Sequence, residues 1–312
     1  MRIAAIDVGT NTTRLLVAEG NGSSYRDLDR RLAFTRLGEG VDSSGRLTAA
    51  AIKRTLSAIA EYCSICGEFG VQQMKIAGTS AVRDAANRET FLSAVEELSG
   101  APAVALSGED EARLSFWGAT ADLAPDRYLV CDIGGGSTEF VLGVPGAAEL
   151  RRVSLDLGSV RLTERFLKSD PPGIEEIILL EAAIDEALTT ADAVMGDVGD
   201  ARLVGLGGTI TTLAAIHLGL EVYKPEVTHG ALLTARAVNE MYQRLARTPL
   251  DARASLPMLP KGRADVIVAG GSILSRTMEH WGLEEVTVSE KDILDGLVLE
   301  MLSGGMNRFV DH

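Results

Sequence analysis

Twice along this chain a short run of β-forming residues ends in an aspartate, passes through a glycine-containing turn and resumes as a second run. The first instance is Arg2 to Asp7, then Val8-Gly9-Thr10-Asn11, then Thr12 to Glu19. The second is Tyr128 to Asp132, then Ile133-Gly134-Gly135-Gly136-Ser137, then Thr138 to Leu142. Strand, tight turn and strand make a β-hairpin pattern. The same plan continues after each hairpin: a third strand pattern (Arg31 to Leu37, then Glu149 to Leu155), followed by helices alternating with strands. Duplication on this scale predicts an α/β protein of two similar lobes facing each other across a cleft.

Length agrees with that division. A chain of 312 residues is too long for one ordinary core and comfortable for two of ~150 residues. A breakpoint is expected near Ala119–Asp126, marked by Pro125. Residues 1–120 then form lobe I, joined by a C-terminal helix at 290–312, and residues 121–289 form lobe II. Helical periodicity covers Thr48 to Phe69, with Ile52, Leu56, Ile59 and Cys63 on one face. Further helices are predicted at Gly108–Ala119, Gly158–Leu167, Ile174–Met195, Arg263–Trp281 and Asp292–Leu302, and one opening at Gly207-Gly208-Thr209.

Charge and cysteine content narrow the function classes. Asp and Glu outnumber Lys and Arg by 44 to 30, a formal charge of −14, opposite in sign to that of a duplex nucleic-acid binder. A polyanionic substrate would need local arginines, backbone amides and a divalent cation to overcome this field. Cys63 and Cys66 share a helix face without a second Cys or His pair to complete a zinc site, so packing is their expected role. An odd number of cysteines fits a reducing compartment. The N-terminus does not resemble a signal peptide and no apolar run is long enough to span a membrane. A cytoplasmic protein without nucleic-acid or membrane partners is expected.

Several segments carry candidate chemistry. The turns at Asp7 to Asn11 and Asp132 to Glu139 each put a carboxylate at a strand end, followed by glycines through which backbone N–H groups can approach an anion. The glycine run lacks a Gly-Lys-Ser/Thr ending and leads into a strand, so it is not a Walker loop. Gly207-Gly208-Thr209 sets a Gly pair at a helix N-terminus, a favourable anion site. Ser107-Gly108-Glu109-Asp110-Glu111 opens a helix with acids that also complement the helix dipole. Arg83 could hold a phosphate with its planar fork, or simply pair with Asp84 or Glu89.

With these residues on the page, the chain resembles the exopolyphosphatase / guanosine pentaphosphate phosphohydrolase (Ppx/GppA) family of the actin-like ATPase superfamily. The resemblance runs through Ile6 to Val17, Thr79 to Asn87, Ser107 to Leu114, Asp132 to Glu139, Leu206 to Thr209 and Arg263 to Gly271, almost the whole chain in the family's order. Two departures are Thr10, where the family often has Ser, and Ile293-Leu294-Asp295-Gly296, with Asp where an arginine often stands. The resemblance implies two actin-like (ribonuclease-H-like) lobes with an interdomain active-site cleft.

It also implies roles. Glu111 matches the base that deprotonates the attacking water, and Asp7, Asp132 and Glu139 match the acids at a Mg²⁺ ion, with Mn²⁺ as an alternative. Gly9, Thr10, Asn11, Arg83, Gly134, Gly135, Gly136, Ser137, Gly207, Gly208 and Thr209 fall on phosphate-contacting loops. The implied activity is removal of terminal phosphate from inorganic polyphosphate by a homodimeric enzyme. Guanosine pentaphosphate is the alternative substrate; a kinase or a non-enzymatic nucleotide sensor of the same fold are further alternatives. Long relatives carry an additional C-terminal region, and this chain without it is expected to prefer short polyphosphates.

Overall fold

The computed structural model describes residues 1–22, 24–147 and 149–304. In chain order the elements are β1 (Arg2–Val8), β2 (Thr13–Asn21), β3 (Ser24–Ala33), α1 (Val41–Ser44), α2 (Ala49–Glu68), β4 (Gln73–Gly78), α3 (Ser80–Asp84), α4 (Arg88–Ser99), β5 (Ala103–Ala105) and α5 (Gly108–Thr120). They continue with β6 (Tyr128–Ile133), β7 (Thr138–Gly143), β8 (Arg151–Leu155), α6 (Ser159–Phe166), α7 (Ile174–Met195), β9 (Arg202–Leu206), α8 (Gly208–His217), α9 (Pro225–Thr228) and β10 (Leu232–Thr234). Last come α10 (Ala235–Ala246), α11 (Leu250–Arg253), α12 (Ile267–His280), β11 (Glu285–Val288) and α13 (Ile293–Leu302).

The chain divides into two compact units. Unit 1 is Met1–Ala121 with the chain from Asp292 onward, and unit 2 is Asp122–Lys291. Of the helix expected at 290–312, α13 covers Ile293–Leu302 and residues 303–304 form a turn; the expectation for 305–312 lies outside the described residues.

Each unit is built on a mixed sheet. In unit 1 the order is β3-β2-β1-β4-β5, with β1 antiparallel to β2 and parallel to β4. In unit 2 the order is β10-β11-β9-β6-β7-β8, with β6 antiparallel to β7 and parallel to β9. Reading β6, β7, β8, β9 and β11 against β1, β2, β3, β4 and β5 gives the same connectivity, the strand order of a ribonuclease-H-like lobe. Unit 2 adds β10 as an antiparallel edge.

Strand pleating decides which side chains reach which helices. On β1, Ala4, Ile6 and Val8 pack with Ile59 and Tyr62 of α2 and Phe91 of α4. Ile3 and Ala5 face the other way, against Leu114 of α5 and Ile293, Leu297 and Val298 of α13. Each fully buried Leu or Ile adds about 1.5–3 kcal/mol of stabilisation. The α5–α13 contact is closer than side chains permit: a Cβ at Gly118 would stand 1.9 Å from the Asp292 carbonyl oxygen, and one at Gly296 2.1 Å from that of Leu114. Two glycines thus seat α5, and with it Glu111, against α13. In unit 2 the core gathers Leu129, Cys131 and Phe140 from the sheet with Leu180, Ile184 and Leu188 of α7 and Ile273 and Leu274 of α12.

Three sequence expectations shift. The third strand of unit 1 runs Ser24–Ala33 rather than Arg31 to Leu37. It is a sheet edge rich in charge, so its ladder pairing with β2 leaves no apolar alternation to read. After Ala33 the chain leaves the sheet, and Arg36, in the left-handed region at φ 48°, turns it back over the first hairpin turn. On α2, capped by Thr48, the buried face centres on Ala51, Thr55, Ile59, Tyr62 and Cys66, while Ile52, Leu56 and Cys63 flank it half-buried. The helix expected from Arg263 begins at Ile267, after turns that leave Arg263 outside it.

Candidate active site

The predicted site residues fall into two groups, one in each unit. In unit 1 the β1–β2 turn is closed by the Gly9 N–H donating to the Thr12 carbonyl at 2.9 Å. The segment after β3 lies on this turn: the Gly38 N–H donates to the Thr10 carbonyl (2.9 Å) and the Arg36 N–H to the Asn11 carbonyl (3.0 Å). A trans peptide points its C=O and N–H in opposite directions. With those carbonyls tied down on one side, the Asn11 and Thr12 amides are presented on the other.

Asp7 sits directly across the hairpin from Arg14. Arg14 donates to Asp7 Oδ2 from Nε at 3.0 Å and from Nη2 at 2.6 Å, and also bonds Asp292, the N-cap of α13. Asp7 is 3% exposed, and its Oδ1 is buried without a hydrogen-bond partner among the described residues. Burial pushes the Asp7 carboxyl above its ordinary range against the opposing pull of the Arg14 charge.

Glu111 lies in the first turn of α5, whose N-cap Ser107 accepts the Asp110 N–H at 3.1 Å. It is 7% exposed and accepts from Arg83 Nη1 at 2.7 Å; Arg83 also reaches the Leu106 carbonyl at 3.3 Å. Of the alternative partners, Asp84 stands 3.8 Å from Arg83, and Glu89 pairs with Arg88. A 28-residue separation left no sequence signal for the Arg83–Glu111 pair.

Unit 2 repeats the turn. The Gly134 N–H donates to the Ser137 carbonyl at 3.0 Å, as Gly9 does to Thr12. By the same superposition Asp132 takes the place of Asp7, and the position facing it across the hairpin, Arg14 in unit 1, is Glu139. Two carboxylates directly opposite on one sheet face repel each other and suit a bound cation. Glu139 is buried and accepts from the Ser154 hydroxyl at 2.7 Å. Beside them, Gly207 opens α8 at φ 89°, where a Cβ would stand 2.7 Å from the Ile133 carbonyl oxygen and 3.1 Å from Asp132 Oδ1. Glycine is required there for backbone and for space. The α8 start with Gly208 and buried Thr209 is thereby held against the Asp132 strand end.

Arg263 opens the last segment of the family resemblance, but the sequence assigned it no place among the phosphate-contacting loops. Its guanidinium lies over Gly208, where a Cβ would meet Nη2 at 2.0 Å, and Nη1 donates to Thr212 at 2.7 Å. A cation therefore reinforces the partial positive charge of the α8 N-terminus. Arg14 was missed as well, although counting across the turn from Asp7 finds it. Cys63, Cys66 and Cys131 are free; Cys66 and Cys131 belong to the cores, and burial pushes the Cys66 thiol up to about 11.

Among the described residues, no three His, Cys, Asp or Glu side chains form a group able to hold a metal ion. The donors present instead suit Mg²⁺, which keeps several waters and takes one or two carboxylates together with substrate phosphate. No helix among the described residues is long and apolar enough to cross a membrane.

A glycine-containing turn beside strand-end carboxylates, one in each α/β unit, is an arrangement whose chemistry suits phosphorylated ligands. Comparison with known proteins carries this further. The sequence profile of the Ppx/GppA phosphatase family matches residues 16–304. Exopolyphosphatase 2 of Mycobacterium tuberculosis is 38% identical over 315 residues, covering 96% of this chain and 98% of that protein. The crystal structure of an exopolyphosphatase-like protein superposes with a TM-score of 0.92 at 33% identity, covering 98% of this chain and all of the other. The Aquifex aeolicus Ppx/GppA family member gives 0.82 at 32% identity, with 98% of each chain covered. The chain belongs to the Ppx/GppA phosphatase family, and as such it is a hydrolase of phosphoanhydride bonds.

Proposed function

We propose that this enzyme is an exopolyphosphatase that removes the terminal phosphate of inorganic polyphosphate as orthophosphate, with short chains preferred. The observation that carries the reading is the repeated turn, its carbonyls held by neighbouring N–H groups, beside Asp7 in one unit and beside Asp132 and Glu139 in the other. Phosphoryl transfer to water asks chiefly for positioning and for neutralisation of charge on the phosphoryl oxygens. In unit 1 the Asn11 and Thr12 amides offer such contacts, and in unit 2 the glycine turn and the α8 start with Thr209 and Arg263 do so. Glu111 takes the proton of the attacking water, and Arg83 orients it through Oε2. An arginine has five N–H donors, so Arg83 can serve both Glu111 and a phosphate oxygen.

In unit 2, Asp132 and Glu139 are the carboxylates that would hold Mg²⁺ or Mn²⁺; in unit 1, Asp7 Oδ1 is buried without a hydrogen-bond partner among the described residues. When bound, the metal withdraws charge from the transferring phosphate.

The short-chain preference follows from charge. A formal charge of −14 repels a long polyanion beyond the few phosphates the turns can neutralise. Arg276, a candidate for extending that contact, is already paired with Asp185 at 2.6 Å and Glu279 at 2.5 Å. Phosphate release should therefore be compared across polyphosphates of graded length, guanosine pentaphosphate, ATP and ADP, at low and physiological salt. The reading expects the highest kcat/KM on short polyphosphates. Faster turnover of guanosine pentaphosphate would reassign the substrate, and efficiency rising steadily to chains of hundreds of units would refute the length preference.

A further inference from the structure

We propose that Arg161 is a positioning residue of the glycine turn: by fixing the Gly136 carbonyl it aims the Ser137 amide at a substrate phosphate. The inference rests on the phosphohydrolase reading and concerns a residue outside every motif identified in the sequence.

The start of α6 lies on the Gly134–Ser137 turn. Gly134 C=O accepts the Ser159 N–H at 3.0 Å and the Ser159 hydroxyl at 3.2 Å. Gly135 C=O accepts the Val160 N–H at 2.8 Å and the Arg161 N–H at 3.1 Å. Gly136 C=O accepts Arg161 Nε at 2.7 Å. Each of these carbonyls belongs to the peptide whose N–H is that of the next residue. Holding all three toward α6 turns the Gly135, Gly136 and Ser137 amides to the opposite side, a concave set of donors suited to a phosphate.

The three carbonyls are held in different ways. The first two carbonyls are held by backbone amides of a helix start, which any sequence supplies, the first with the Ser159 hydroxyl in addition. The third is held by a side chain. It closes a run of three glycines, where no Cβ restricts rotation of the peptide planes and an unpinned peptide can flip at little cost. Arg161 is therefore the sequence-dependent element of the turn's orientation. Its side chain is 11% exposed, and its Nη2 also stands 3.5 Å from the exposed Asp156 carboxylate. The close fit needs room as well: a Cβ at Gly158 would stand 2.2 Å from the Gly135 oxygen, although its φ of −119° suits any residue. Unit 1 shows the same device made of backbone alone, Arg36 and Gly38 amides on the Asn11 and Thr10 carbonyls, where the turn residues carry side chains.

Charge and position can be separated by substitution. Gln places a neutral N–H donor the same number of bonds from Cα as the arginine Nε, whereas Lys keeps the charge one bond farther out. Arg161→Ala, Arg161→Gln and Arg161→Lys should be compared for kcat and KM on tripolyphosphate and for melting temperature. The wild-type and variant Ser137 amide resonances should be followed by ¹H–¹⁵N NMR as tripolyphosphate is added. Arg161→Ala is expected to raise KM roughly tenfold, the loss of one charge-assisted hydrogen bond, and to abolish the Ser137 response. Arg161→Gln should return KM to within about threefold of wild type, and Arg161→Lys should resemble the alanine variant. Rescue by Lys but not Gln would make Arg161 a direct phosphate cation and overturn the proposal, as would wild-type values for Arg161→Ala. Should the alanine variant fail to fold, the Gln–Lys comparison decides. If the wild type hydrolyses no phosphoanhydride, the functional reading fails, while the Ser137 response to tripolyphosphate still reports whether the turn is aimed by Arg161.

Discussion

Removing Arg83 should impair catalysis mainly through Glu111. The Nη1–Oε2 distance of 2.7 Å is that of a charge-assisted bond, and both side chains are largely buried, at 22% and 10% exposure. Such a bond contributes about 1.5–3 kcal/mol, so Arg83→Ala should lower kcat/KM by roughly 10- to 150-fold. Glu111→Gln keeps the shape of the carboxylate but cannot take a proton, and should abolish turnover while leaving the fold intact. The double variant separates two roles for the arginine. If Arg83 acts by orienting Glu111, adding Arg83→Ala to Glu111→Gln should change residual kcat/KM by less than about threefold, since groups acting as a unit are strongly non-additive. If it acts by holding phosphate, the loss should be undiminished and should be expressed in KM. The assay is orthophosphate release from tripolyphosphate under single-turnover conditions, with tripolyphosphate affinity measured separately by calorimetry. Full additivity would refute the orienting role, and activity of Glu111→Gln within threefold of wild type would refute the base assignment.

Three further outcomes are expected. Activity should require Mg²⁺ or Mn²⁺ and be lost in excess chelator, and Asp132→Asn or Glu139→Gln should weaken Mn²⁺ binding read by electron paramagnetic resonance; unchanged binding in both variants would remove them from the metal site. Gly296→Ala places a methyl 2.1 Å from the Leu114 carbonyl oxygen and should destabilise unit 1 by about 1–3 kcal/mol, seen as a lower melting temperature; an unchanged transition would mean that α5 and α13 separate without cost. Glu176 accepts from the Ser169 hydroxyl at 2.6 Å and the Gly173 N–H at 2.9 Å, which hold its carboxyl down to about 2. Because the folded value is depressed, its support of the α7 start is present above the ordinary glutamate range and is lost as pH falls through about 2. A ¹³C carboxyl titration with its midpoint near the ordinary glutamate value would contradict this.

Much of the architecture is local and was legible without a structure. Hairpin turns announce themselves by an acid and glycines between β-forming runs, so both β1–β2 and β6–β7 were placed within a residue or two. Helix starts capped by Thr48 and Ser107 follow from hydrogen bonding within a single turn. The duplicated plan needed only the repetition of these signals. What tertiary structure decided lies between elements distant in sequence, where no period or spacing applies. The course of β3 depends on its pairing with β2, because an exposed edge strand carries charge in place of apolar alternation. The pairs Arg83–Glu111 and Arg14–Asp292 join side chains 28 and 278 residues apart. The outward aim of the two turns is set by the segments after β3 and β8, through carbonyls whose partners the sequence does not name. Sequence therefore determined which residues stand at the strand ends, and packing determined which way their amides face.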